Sequence, residues 1–125
     1  MAGTRRAALG GRGEDAATAW YRSASYTVLD RNWRCAQGEI DLVARSAGGD
    51  ILVICEVKTR SSGSFGSPFE AVGAAKPRRV RRLAALWLRS AHRAAAHFDH
   101  IRFDVAAVTL GAGGALPVEV LEDAF

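Results

Sequence analysis

Between Glu14 and Ala24 the apolar residues Ala16, Ala17, Trp20, Tyr21 and Ala24 recur at three- and four-residue steps, a period that predicts a helix with one buried face. Downstream the period shortens. Tyr26-Thr27-Val28-Leu29 is β-prone, and after Asp30-Arg31-Asn32 the chain enters Trp33-Arg34-Cys35, which predicts a first strand ending in a loop. Two further β-rich runs, Glu39 to Ala44 and Ile51 to Lys58, flank Ala47-Gly48-Gly49-Asp50. Gly-Gly between strands predicts a two-residue hairpin turn, because both residues can adopt positive φ without a Cβ clash. The second run is apolar on both faces until Glu56, as a central buried strand should be.

Thr59 to Phe69 is rich in Ser and Gly and contains Pro68, so it reads as a loop. Pro77 suits the first turn of a long helix running to about His97. On that helix Val80, Leu83, Ala84, Trp87, Ala91 and Ala94 fall on one face, while Arg78, Arg82, Arg89 and Arg93 fall on the other. Ile101 to Val108 alternates as a strand, Gly111-Ala112-Gly113-Gly114 turns, and Val118 to Leu121 adds a short last strand. The expected order is αβββαββ: a mixed α/β sheet flanked by helices, in one domain over 13–125, after a loosely ordered Gly- and Arg-rich segment, 1–12.

Composition adds little to the fold but something to the partner. The 125 residues are 49% hydrophobic and 24% charged, ordinary globular usage, and the apolar run from Leu83 to Leu88 is far too short to span a bilayer. No membrane partner is expected, and without the apolar segment of a signal peptide a cytoplasmic location is the default. Cys35 and Cys55 are too few for a disulfide framework or a four-ligand zinc site, and His92, His97 and His100 form no ligand-like pattern. Seventeen Lys and Arg against thirteen Asp and Glu give a net charge of +4, which favours a polyanionic partner. Lys76, Arg78, Arg79, Arg81, Arg82, Arg89 and Arg93 occur without one acid between Glu70 and Asp99, so this face reads as a nucleic-acid track, although charged helix faces are often merely solvated.

Asp41 and Glu56 stand inside apolar strands, where an isolated buried carboxylate is costly and needs a partner. If Gly48-Gly49 is the turn, Asp41 lies directly opposite Glu56 and Glu39 opposite Lys58. Two carboxylates about 5 Å apart repel unless a cation lies between them, and a hard divalent ion such as Mg²⁺ or Mn²⁺ suits oxygen ligands. Glu56 and Lys58 share a strand face, so the ammonium can stand beside a phosphate oxygen or an attacking water. Salt bridges of Asp41 and Glu56 to arginines are the plain structural alternative. For Glu14 that alternative is a favourable position in a first helical turn, and for Asp104 it is an ion pair with an arginine, Arg102 or a neighbour.

Gly13-Glu14, Arg31-Asn32-Trp33-Arg34, Gly38-Glu39-Ile40-Asp41-Leu42-Val43, Glu56-Val57-Lys58-Thr59-Arg60-Ser61, Phe65-Gly66-Ser67-Pro68-Phe69-Glu70-Ala71-Val72, Lys76 and Arg102-Phe103-Asp104-Val105 stand in an order that resembles the YraN family. That family resembles the PD-(D/E)XK nuclease superfamily, with the fold of restriction endonucleases and archaeal Holliday junction resolvases. The resemblance implies a restriction-endonuclease-like sheet in which Asp41 supplies the motif aspartate, Glu56 the second acid and Lys58 the lysine, with Glu14 supporting the metal. Ile40 stands where proline is common in the superfamily, and the tail Leu121 to Phe125 matches only loosely.

The expectation is a Mg²⁺- or Mn²⁺-dependent endonuclease acting on DNA, branched or single-stranded forms included. Asp41, Glu56 and Glu14 form its metal site and Lys58 assists water attack. Arg60, Lys76, Arg78, Arg79, Arg82, Arg89 and Arg93 contact the nucleic acid. Symmetric cleavage of a junction would require a homodimer, for which the sequence marks no surface. The rival expectation is a protein that keeps the nuclease fold and binds nucleic acid without cutting it.

Overall fold

The computed structural model describes residues 2–61, 77–90, 97–111 and 116–124, with the backbone alone for residues 2–10. Its elements run α1 (Ala2–Ser23), β1 (Thr27–Cys35), β2 (Gly38–Arg45), β3 (Ile51–Ser61), α2 (Pro77–Arg89), β4 (His100–Leu110) and β5 (Val118–Leu121), the predicted αβββαββ order. The strands form one five-stranded sheet in the order β1-β2-β3-β4-β5. β1, β2 and β3 pair antiparallel, β3 and β4 parallel, and β4 and β5 antiparallel. This mixed sheet with its two helices is consistent with a restriction-endonuclease-like fold.

Neighbouring residues on a strand face opposite ways, and β3 uses both sides. Val53 and Cys55 pack with Ala17 and Tyr21 of α1, whereas Leu52 and Ile54 pack with Leu83, Ala84 and Trp87 of α2. The helices therefore cover opposite faces of the sheet. Burial of β3 on both faces explains its continuous apolar run, and α2 presents to the core the face its periodicity predicted.

Four local expectations are corrected. β1 is one strand through Cys35, with a register shift between Val28 and Asp30. Asp30 and Arg31 do not leave it, because the Trp87 indole donates to Asp30 at 3.1 Å and Arg31 reaches Asp15 of α1 at 2.6 Å. α1 begins at Ala2, ahead of the periodic stretch. α2 ends at Arg89 and not near His97: the Ser90 amide and hydroxyl both turn back to the Trp87 carbonyl, at 3.0 and 2.5 Å. Ala91, Arg93 and Ala94 lie outside the described residues.

The hairpin turn spans four residues and not two. Ser46 N–H donates to the Ile51 carbonyl, Gly49 N–H closes onto the Ser46 carbonyl at 2.9 Å, and Gly49 takes φ +82°. Both loop lengths are centred between Gly48 and Gly49, so the expected register survives, with Leu42 opposite Cys55 and Arg45 opposite Leu52.

Asp104 is fully buried on β4 and is tied to four groups. Arg102 Nε and Nη2 each donate to it at 2.9 Å, the Tyr21 hydroxyl at 2.7 Å and the Asp123 amide at 3.1 Å. The predicted Arg102 pair is thus present. Burial pushes proton loss from the Tyr21 hydroxyl far above its ordinary range and raises the Cys55 thiol to about 12. Asp104→Ala removes the nearest counter-charge of Arg102 and leaves it the Tyr26 hydroxyl at 2.9 Å and the Glu122 carboxylate at 3.7 Å, so it should cost about 3 kcal/mol in urea unfolding. Tyr21→Phe, which removes one donor, should cost about 1 kcal/mol. Equal losses would contradict this picture.

Candidate functional site

The β3–β4 ladder continues to Ser61 and Leu110, but the last β2–β3 pair is Leu42 with Cys55. Beyond it the expected Asp41–Glu56 and Glu39–Lys58 pairs do not form, which corrects the ribbon geometry read from the register. The Asp41 carboxylate instead accepts the Val57 N–H at 2.8 Å, taking the place of a ladder carbonyl. Leu42 and Ala44 belong to the α1-side core whereas Ile40 belongs to the α2-side core with Val43, so side-chain alternation resets at Asp41. The β1 residue across from Asp41 by register is Asn32, held at φ +51°. The β1–β2 register is the same on both sides of this point, Arg31 with Leu42 and Trp33 with Ile40, so the change of face falls at Asn32 and Asp41 without an extra residue in either strand.

Burial raises the Asp41 carboxyl to about 6. The Val57 N–H opposes that rise, while the charges of Glu14, Glu39 and Glu56 add to it. These four acids come from α1, β2 and β3. Among the described residues no guanidinium or ammonium is bonded to Asp41, so the arginine salt bridge offered as a structural alternative is absent there.

Glu56 has a cation of its own strand. Its Oε1 lies 3.0 Å from Lys58 Nζ, with the side chains 41% and 51% exposed. The shared face of Glu56 and Lys58 is as expected, and alternation puts the half-buried Arg60 on it too. Glu14 is half-buried on α1, and its neighbour Gly13 is seated against β3: a Cβ at Gly13 would run into the Thr59 hydroxyl. The bare glycine backbone lets α1 approach closely enough for Glu14 to act on Asp41.

Arg78, Arg79, Arg82 and Arg89 are all exposed on α2, while Leu83, Ala84 and Trp87 are buried beneath them. The first turns of α2 lie over the start of β2, since a Cβ at Gly38 would meet Arg79 Nη2 at 3.2 Å and Leu83 Cδ1 at 3.5 Å. Lys76 and Arg93 lie outside the described residues. Gln37, which has no signal in the sequence pattern, joins Arg78, Arg79, Arg82 and Leu83 around a cavity of about 300 Å³.

No three Asp, Glu, His or Cys side chains are already set as a metal cage among the described residues. The donor chemistry nevertheless fits a hard cation: oxygen donors only, one of them a half-buried carboxylate under repulsion from three others. A shared ion would compete with Lys58 for the Glu56 carboxylate, whose Oε1 lies 3.0 Å from Nζ.

The sequence model described as "Uncharacterised protein family UPF0102" matches residues 13–108. The chain belongs to this family. The UPF0102 chain is 48% identical over 118 residues to a UPF0102 protein of Rhodococcus jostii (strain RHA1), covering 94% of this chain and 96% of that one. It is 47% identical over 125 residues to one from Frankia alni, covering 100% of both. It is 49% identical over 114 residues to one from Beutenbergia cavernae, covering 91% and 92%. The family match spans Glu14, Asp41, Glu56, Lys58 and the α2 arginines, and it is the YraN family that the motif order resembles. Among the described residues of the UPF0102 chain no helix is long and apolar enough to cross a membrane.

Proposed function

We propose that this protein is a Mg²⁺- or Mn²⁺-dependent phosphodiesterase acting on DNA, working in the cytoplasm. The observation that carries the reading is Asp41: a carboxylate just beyond the last β2–β3 pair, half-buried among three acids and bonded to no cation among the described residues. An ion held by Asp41 and Glu56, with Glu14 in support, would polarise the scissile phosphate and lower the pKa of an attacking water. Val57 N–H fixes the Asp41 carboxylate, and the Val57 carbonyl would serve as a further oxygen donor. Lys58 can donate to a phosphate oxygen or orient the water, offsetting charge that grows on the phosphate. Arg60 and the exposed α2 arginines extend a cationic track for the sugar-phosphate backbone.

Purified protein incubated with branched, single-stranded and linear DNA should cut at least one of them with Mn²⁺ or Mg²⁺ and none with EDTA. Cleavage that persists unchanged in Glu56→Gln would contradict the reading. If Arg78, Arg79, Arg82 and Arg89 neutralise phosphates, log affinity against log salt should fall with a slope of about −4. A slope near zero in a filter-binding titration would remove the cationic track.

The closed Glu56–Lys58 pair favours a second reading, a protein that binds nucleic acid and does not cut it. It shares the salt slope and lacks metal-dependent turnover.

A further inference from the structure

The cavity formed by Gln37, Arg78, Arg79, Arg82 and Leu83 is separate from the acidic cluster, and its chemistry is that of an anion site. The side chains of Arg78, Arg79 and Arg82 line one open depression of about 300 Å³. None of the three forms an ion pair with a carboxylate among the described residues. Arg79 is also oriented: its guanidinium lies against Gly38, which sits at φ +146°, and a Cβ there would come within 3.2 Å of Arg79 Nη2. Gln37 brings an amide that can donate to an oxygen, and buried Leu83 gives the cavity an apolar wall.

The charge and the donor number select among phosphates. A phosphodiester within a strand carries one negative charge and offers two free oxygens. A terminal phosphomonoester carries about −1.5 to −2 at neutral pH and offers three. Three guanidiniums, each able to make paired hydrogen bonds, match the second better. Gly38 is three residues along β2 from Asp41, roughly 10 Å of strand, so the cavity lies near the acids without overlapping them.

We infer that this cavity binds the phosphorylated end of a nucleic-acid strand, at the 5′ or the 3′ terminus. The inference rests on the nucleic-acid reading of the protein and adds that strand ends bearing a phosphomonoester are its preferred ligand. Arg79 and Arg82 hold the terminal oxygens, Arg78 adds charge and Gln37 completes the donor set.

The test is fluorescence anisotropy in EDTA, with one labelled single-stranded oligonucleotide made in three forms: 5′-phosphate, 3′-phosphate and hydroxyl at both ends. One phosphorylated form should bind about tenfold more tightly than the hydroxyl form. Arg79→Ala and Arg82→Ala should remove that preference, and Arg22→Ala, an exposed arginine at the far end of α1, should keep it. Inorganic phosphate should compete with the preferred form more strongly than with the hydroxyl form. Equal affinity for all three forms, or a preference that survives Arg79→Ala, overturns the inference while leaving nucleic-acid binding intact. If no form binds, both this inference and the nucleic-acid reading fall. Because EDTA removes divalent ions, the outcome is independent of whether the acidic cluster is catalytic.

Discussion

Asp41→Asn should make the protein more stable at neutral pH and at the same time deaf to divalent ions. The carboxyl is raised from 3.8 to about 6, chiefly by burial, so its charged form is disfavoured in the folded state. Because the folded protein holds this proton more tightly than the unfolded chain, the group's contribution falls as pH rises from about 4 to about 6. The penalty is fully present above that window. Asparagine keeps an oxygen to accept the Val57 N–H and removes the charge. After allowance for solvent around a half-buried side chain, the gain should be about 1–2 kcal/mol, or several degrees in Tm. The advantage over wild type should shrink as pH is lowered through the window and vanish below it. In wild type, Mn²⁺ should stabilise the fold by mass action, by about 2.7 kcal/mol at a hundredfold excess over Kd, and so raise Tm, and in Asp41→Asn it should not. A mutation that stabilises the fold and removes ion binding is expected of a group placed for chemistry and not for packing. Loss of stability at neutral pH would show that Asp41 has a counter-charge.

The second large effect separates the two members of the Glu56–Lys58 pair. Glu56→Gln removes a proposed ion ligand, so metal affinity and cleavage should fall together, cleavage by about 100-fold or more. Lys58→Ala should cost a similar factor in cleavage, as the loss of a charge-stabilising donor does. Its effect on the ion should have the opposite sign. In the closed state Lys58 Nζ lies 3.0 Å from Glu56 and competes for the carboxylate that the ion needs, so removing it should tighten Mn²⁺ binding. Both variants should retain most DNA binding, because the exposed α2 arginines are untouched. Metal titrations of the two proteins give the comparison, and equal weakening of metal binding in both would contradict it. A contaminating nuclease would respond to neither substitution.

Much of this arrangement is legible in the sequence, for identifiable reasons. The helical period around Trp20 and Tyr21, the doubly buried run of β3 and the Gly48-Gly49 centre of the hairpin each follow from local geometry. The register is therefore correct even though the turn is longer than expected. The break at Asp41 is not legible, since it depends on where the β2–β3 ladder stops, and Val57 N–H finds a carboxylate only once that ladder has opened. The same limit applies to Tyr21. Its ring follows the apolar period, but its hydroxyl bond to Asp104 joins residues 83 positions apart. The end of α2 at Arg89 turns on the next side chain, Ser90, whose hydroxyl bonds the Trp87 carbonyl, which a propensity reading does not weigh. Gln37 acquires significance only when the β1–β2 turn meets α2.

The measurement that bears most directly on the acidic cluster is calorimetric titration of Mn²⁺ into the metal-free protein near pH 7.5, beside Asp41→Asn and Glu56→Gln. Saturable binding to wild type that is lost in both variants is the predicted result. No binding to wild type, or binding that persists undiminished in both variants, would contradict a divalent-ion site between β2 and β3.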